Sequence, residues 1–242
     1  MNKRPAPLFL LIFSFFVTTS LSSQVILGWS GGYAPDREIN RNIYVYNTIN
    51  TPGLTKQMPE MHYYQGPVVG FRAASDDGYL ELLWNRKWAS VSSEFDSSGV
   101  PMQRELRSRV NTFNWGGAYS IDGWSAGMSF DFGFCKGMGK RAAKDGFKDR
   151  DYEWLWTPEH FLRLVNRILP DGNTIWIERD LGKFAAVRIY AQMFWIATDL
   201  TSEKSGNKID YWFFGSELNY ANPMVQRFNN YGLEIFLKLG KS

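Results

Sequence analysis

Across 242 residues, 27 Lys and Arg stand against 24 Asp and Glu, and a net charge of +3 is too small to draw nucleic acid. One cysteine excludes an internal disulfide scaffold, and two histidines at scattered positions give no metal-ligand spacing. Aromatic residues reach 17 %, with 10 Trp, 12 Tyr and 18 Phe, yet mean hydropathy is −0.31, a combination that suits strands with interfacial rings and one polar face.

The first residues, Asn2-Lys3-Arg4, an apolar run from Pro7 to Val17 and the small residues Thr18 to Ser23, predict an export signal over 1–23, with cleavage near Ser22 or Ser23. The apolar run is too short for a membrane-spanning helix, and no other stretch is long enough. Residues 24–242 then form one domain.

Alternation dominates that domain. Gln24 to Ala34 sets Val25, Leu27, Trp29 and Tyr33 against Gly28, Ser30 and Gly32. Tyr63 to Ala74 sets Pro67, Val69, Phe71 and Ala73 against Gly70 and Arg72, and Tyr79 to Trp88 sets Leu80, Leu82, Trp84 and Trp88 against Glu81, Asn85 and Lys87. Gln103 to Ser120 starts polar on both faces, and Phe113, Trp115 and Tyr119 then take over one of them.

The clearest segment is Trp124 to Cys135. Trp124, Ala126, Met128, Phe130, Phe132 and Phe134 share one face, and small residues with Asp131 occupy the other, as a narrow barrel lumen requires. Lys183 to Ala197 repeats the pattern, with Ala185, Val187, Ile189, Ala191, Met193 and Trp195 opposite Arg188, Tyr190 and Gln192. Ile209 to Tyr220 and the C-terminal Tyr231 to Leu239, with Glu234 and Lys238 inward, complete about eight strands, an even number as closed membrane barrels use.

The expected fold is therefore an all-β, antiparallel up-and-down transmembrane barrel. Its short turns are Ser75 to Gly78, Ile121-Asp122-Gly123 and Leu200 to Lys208; its long connections are Ala34 to Met61, Ser93 to Met102, Lys136 to Gly182 and Ala221 to Asn230. Such asymmetry places the long connections outside the cell and the short ones in the periplasm. In alternation and turn spacing the chain resembles the eight-stranded outer-membrane β-barrel superfamily that includes the OmpA barrel and OmpX, and within it the outer-membrane β-barrel domains of Bacteroidetes. The resemblance implies the outer membrane of a Gram-negative bacterium.

Inward-facing Arg72, Glu81, Lys87, Asp131, Arg188, Glu234 and Lys238 mix both signs, and are expected to pair and plug the lumen. The connection 136–182 exceeds what a minimal barrel needs, and carries a predicted short helix capped by Thr157 and Pro158 and stopped at Pro170-Asp171-Gly172. Trp154 and Trp156 before the helix, with Phe161, Leu164, Val165 and Ile168 on its apolar side, are candidate contacts to a larger outer-membrane complex. Lys140, Arg141, Lys144 and Lys148 are candidate contacts to lipopolysaccharide phosphates.

The chain is read as a non-enzymatic barrel with no cofactor. The runner-up is a lipid A-modifying barrel enzyme with His62 as base near Ser90, Ser92, Ser93, Glu94 and Asp96, although no His-x-Ser spacing supports it. A periplasmic lipocalin-like carrier is the third reading, and needs the Phe130, Phe132 and Phe134 face turned inward around a ligand.

Overall fold

A computed structural model of the chain describes residues 22–35, 37–143, 153–156, 171–198 and 224–240. In chain order its elements are β1 Ser22–Tyr33, helix α1 Arg37–Asn50, a 3-10 turn Thr51–Gly53, β2 Leu54–Lys56, β3 Tyr63–Ser75, β4 Gly78–Ser97, β5 Val100–Ile121, β6 Trp124–Ala143, β7 Glu153–Trp156, β8 Gly172–Asp180, β9 Ala185–Thr198 and β10 Met224–Gly240. The export signal up to Leu21 and the helix expected over 157–169 lie outside the described residues.

Every strand pairing is antiparallel, and the ring closes. β1 pairs on one side with β3 and on the other with β10, while β4 joins β5 and leads round through β6, β8 and β9 back to β10. Of the ten strands in the sheet, eight close the barrel; β2 is attached to β4 and β7 to β6. Closure leaves the eight wall strands without a free edge in the bilayer, which offers no hydrogen bonds to open backbone.

Register confirms the two faces. Val25, Leu27, Trp29, Phe71, Leu82, Phe113, Phe130, Ile189, Ile235 and Leu237 are exposed on the outer wall, while Ile26, Val68, Leu83, Ala186 and Phe236 form a buried layer inside. Phe130 faces out and Asp131 is fully buried, which overturns the carrier reading, since that reading needs the phenylalanines turned inward.

Four expectations need correction. β8, expected as a strand extension above the membrane within the connection 136–182, is a wall strand paired with β6 and β9. Conversely, β9 pairs directly with β10 from Met224↔Thr198 to Leu237↔Ala185, so no strand stands between them; the expected strand Ile209 to Tyr220 falls outside the described residues. The third short connection is accordingly 181–184, not Leu200 to Lys208. Finally, the expected loop from Ser93 to Met102 is strand almost throughout: β4 and β5 stay paired to Ser97↔Val100, and only Ser98 and Gly99, at φ 56° and 82°, make the turn. Two positive φ values suit the twist of a two-residue hairpin, and Asp122 and Gly123 repeat the device at the opposite end.

The first long connection holds α1, which no expectation included. Ile39, Ile43 and Tyr46, at i, i+4 and i+7, form one buried stripe. They cluster with Tyr64, Ala89, Leu106, Val110, Cys135, Phe194 and Phe228, contributed by six wall strands, so α1 closes the upper mouth of the barrel. The extended segment after β2 is tied along the helix by two asparagines seven residues apart. Met58 N donates to Asn47 Oδ1 at 2.9 Å and Met61 N to Asn40 Oδ1 at 2.7 Å, while each amide nitrogen donates back to the carbonyl of the same methionine.

The closure generates a prediction. Ile43→Ala removes a side chain only 1 % exposed and weakens the seal by about 3 kcal/mol. Hydrogen exchange should then run roughly a hundredfold faster at the α1 amides, whereas Tyr44→Ala, on the exposed side, should leave it within about a factor of two.

Candidate functional site

Below the buried apolar layer, the lumen is filled by charge. The narrow interior forces side chains from opposite walls into contact, and the sequence supplies both signs there. Glu178 on β8 is the centre. Arg72 on β3 grips it bidentately, with Nη1 to Oε1 at 2.7 Å and Nη2 to Oε2 at 2.9 Å; Arg188 on β9 donates from Nη2 at 2.8 Å, and the Tyr79 hydroxyl donates at 3.1 Å. Both arginines also pair with Glu81 on β4, at 2.9 and 2.8 Å, and Arg188 reaches Glu234 on β10 at 3.6 Å.

Rings complete the packing. Arg72 lies 3.7 Å over the Tyr79 ring and Arg188 lies 4.3 Å over Trp176, whose indole N–H donates to the Tyr79 hydroxyl at 3.1 Å. One level up, Lys87 donates to the Tyr190 hydroxyl at 2.9 Å, and Tyr190 donates in turn to Asn230. Asp131 accepts from Asn114, Ser129, Thr174 and Gln192, so hydrogen bonds rather than a cation hold that carboxylate. At the short-turn end Lys238 pairs with Asp180 at 2.6 Å.

The structure thus brings Arg72, Glu81, Arg188 and Glu234 into one network and gives Lys87, Asp131 and Lys238 separate partners. The missing member was Glu178, which the sequence reading assigned to a loop. A cavity of about 10 Å³ between Lys87, Trp176, Arg188 and Glu234 is the internal space there, barely room for one water. A larger polar recess of about 980 Å³, lined by Ser22, Tyr79, Ser125, Asp180 and Lys238 among others, opens only at the short-turn end.

The upper rim carries the remaining candidates. β4, β5 and β6 continue past the apolar band as a polar wall, where Arg104 and Arg141 sit opposite each other and both lie over the Phe95 ring, at 5.0 and 5.4 Å. Arg141 is exposed, but Lys140 is 1 % exposed; it pairs across from Glu105 within β6, where a solvated loop lysine was expected. Trp154 and Trp156 belong to β7, in register with Met138 and Gly137. Lys144, Lys148, Phe161, Leu164, Val165 and Ile168 lie outside the described residues.

His62 ends the strap beside α1. Its Nε2 meets Glu60 at 2.7 Å, its Nδ1 meets the Asn40 amide at 3.3 Å, and its ring stacks on Tyr33. Ser93 is fully buried and bonded to the Tyr46 hydroxyl at 2.9 Å. Base and hydroxyl are each committed elsewhere, so the described residues contain no hydrogen bond from His62 to Ser90, Ser92 or Ser93 of the kind that nucleophile activation requires.

No family model matches the chain, and no curated protein does. Among solved structures, two of Ail, the attachment invasion locus protein of Yersinia pestis, are similar to it, one of them in complex with the heparin analogue sucrose octasulfate. Identity is 8 % in both; the alignments cover 91 % of this chain and 99 % and 100 % of theirs, with TM-scores of 0.41 and 0.38. The fold assignment rests on the chain's own strand pairings.

Removing the central carboxylate should be costly. Glu178→Gln leaves two buried guanidinium groups sharing fewer charges and should lower stability by about 3 kcal/mol in urea unfolding from micelles. Asp180→Asn, whose carboxylate is 40 % exposed, should cost about 1 kcal/mol or less.

Proposed function

We propose that this protein is an outer-membrane barrel of a Gram-negative bacterium that works by binding, as a structural or accessory subunit of a larger outer-membrane complex. Its lumen serves as a rigid anchor, and its extracellular rim is the working surface. The observation that carries the reading is the double seal, with the α1 cluster above and the Arg72–Glu178–Arg188 network below. Among the described residues a barrel filled in this way leaves little interior for a substrate, whereas β4, β5 and β6 stand well above the apolar band and offer side chains to a partner.

Within that rim the proposed contact is the part of the expected 136–182 connection that precedes β8, since β8 itself, Gly172–Asp180, is a wall strand. Trp154 and Trp156 on β7, with Phe161, Leu164, Val165 and Ile168, supply the aromatic and aliphatic anchors that dominate protein interfaces. The test is a mild-detergent pull-down of the tagged protein from native outer membranes, beside a variant with Trp154, Trp156, Phe161 and Leu164 changed to Ser. The expected result is a stoichiometric partner with the wild type and its loss from the variant, while both still shift on gels when boiled, as closed barrels do. Wild-type protein recovered alone, or a variant that keeps the partner, would contradict the proposal.

A further inference from the structure

The outer wall carries a cluster of cations that neither the lumen nor the partner surface uses. Arg107 and Arg109 are two residues apart on β5, and therefore on one face. Register sets Arg109 directly opposite Trp88, and Arg86 opposite Asn111, which places Arg86 diagonally beside Arg109. All three face away from the lumen, since Lys87, Ser108 and Val110 between them are buried inside.

The height of the cluster is fixed independently. On β5 the outward residues from Phe113 to Ile121 are mostly apolar, and Arg109 stands just above them. Trp88 shares that level, with its ring 5.6 Å from that of Trp29 in an edge contact, and Tyr33 and Tyr63 pair their rings higher on the same side. Tryptophan and tyrosine girdles mark the headgroup level of a bilayer. The cluster lies at the end opposite the turns at 76–77, 122–123 and 181–184, hence in the outer leaflet.

Its charge is not balanced from within. Glu105 reaches Arg107 at 3.2 Å, but among the described residues neither Arg86 nor Arg109 has a carboxylate partner. Like charges held together on a folded wall are stabilised when an anion lies between them, and guanidinium forks match phosphate geometry.

We infer that Arg86, Arg107 and Arg109 form a binding site for the phosphate of an outer-leaflet lipid headgroup, with Trp88 and Trp29 flanking its acyl chains. It lies lower on the wall than Arg141 and is a site additional to the lipopolysaccharide contact expected at Lys140, Arg141, Lys144 and Lys148. This rests on the outer-membrane placement and is independent of the partner surface.

The test titrates the purified full-length barrel with diphosphoryl lipid A and with its dephosphorylated form, read by native mass spectrometry. The wild type should prefer the phosphorylated lipid at least tenfold. R86Q/R109Q should lose roughly 30-fold in affinity for it while still closing into a heat-shifting barrel, because both side chains leave the core untouched. R179Q, a cation at the periplasmic end, should bind as wild type. The inference is overturned by equal binding of the two lipids, by a double variant that binds as wild type, by an equal loss in R179Q, or by full displacement of the lipid with millimolar inorganic phosphate.

Discussion

Charge buried in a narrow lumen, with room for about one water beside it, dictates much of this molecule. Arg72, Arg188, Glu81, Glu178 and Glu234 are each almost completely enclosed, and no one of them is tolerable there alone, because an unpaired buried ion costs several kcal/mol. They come from β3, β9, β4, β8 and β10, so the pairs form only when the whole ring is closed in register. A one-residue slip of any of these strands would send its charge into lipid and leave the partners exposed to the low-dielectric interior. The network therefore ties closure and register to a single set of contacts.

The two ends of the barrel solve their sealing differently. Towards the short turns the charges stack with Tyr79 and Trp176 and then give way to a solvated recess, where the Lys238–Asp180 pair is partly exposed. Towards the outside the barrel is capped by an apolar helix, and the backbone of the returning strap is satisfied by Asn40 and Asn47 rather than by a neighbouring strand. Both solutions direct the proposed interactions to the outer surface. That is the physical basis for assigning function to the rim and to the cationic girdle.

Much of this was legible in the residues. The run from Trp124 to Phe134 can be amphipathic only as a strand, and its apolar side, with the Asp-Gly turn before it, set the topology. Glu178 was missed because β8 has only Ile175 and Ile177 as exposed outward apolar residues, flanked by Asn173 and Arg179, too little alternation to distinguish wall from loop. α1 had its signal too: Ile39, Ile43 and Tyr46 sit at helical spacing before Thr51-Pro52-Gly53, but Asn40, Asn47 and Asn50 dilute it, and their use as backbone clamps depends on a strap that sequence does not place. The upper ends of β4 and β6 read as loops because above the bilayer nothing requires an apolar outer face, and the pairing that makes them strands is non-local.

The central claim is that the barrel is sealed from both ends, and planar-bilayer recording of the purified protein tests it most directly. The account predicts a silent bilayer after insertion has been verified, with no discrete current steps at 100 mV of either sign. Stable, ohmic openings from the unmodified protein would contradict it, because they require a continuous water column where the Glu178 network and α1 leave none.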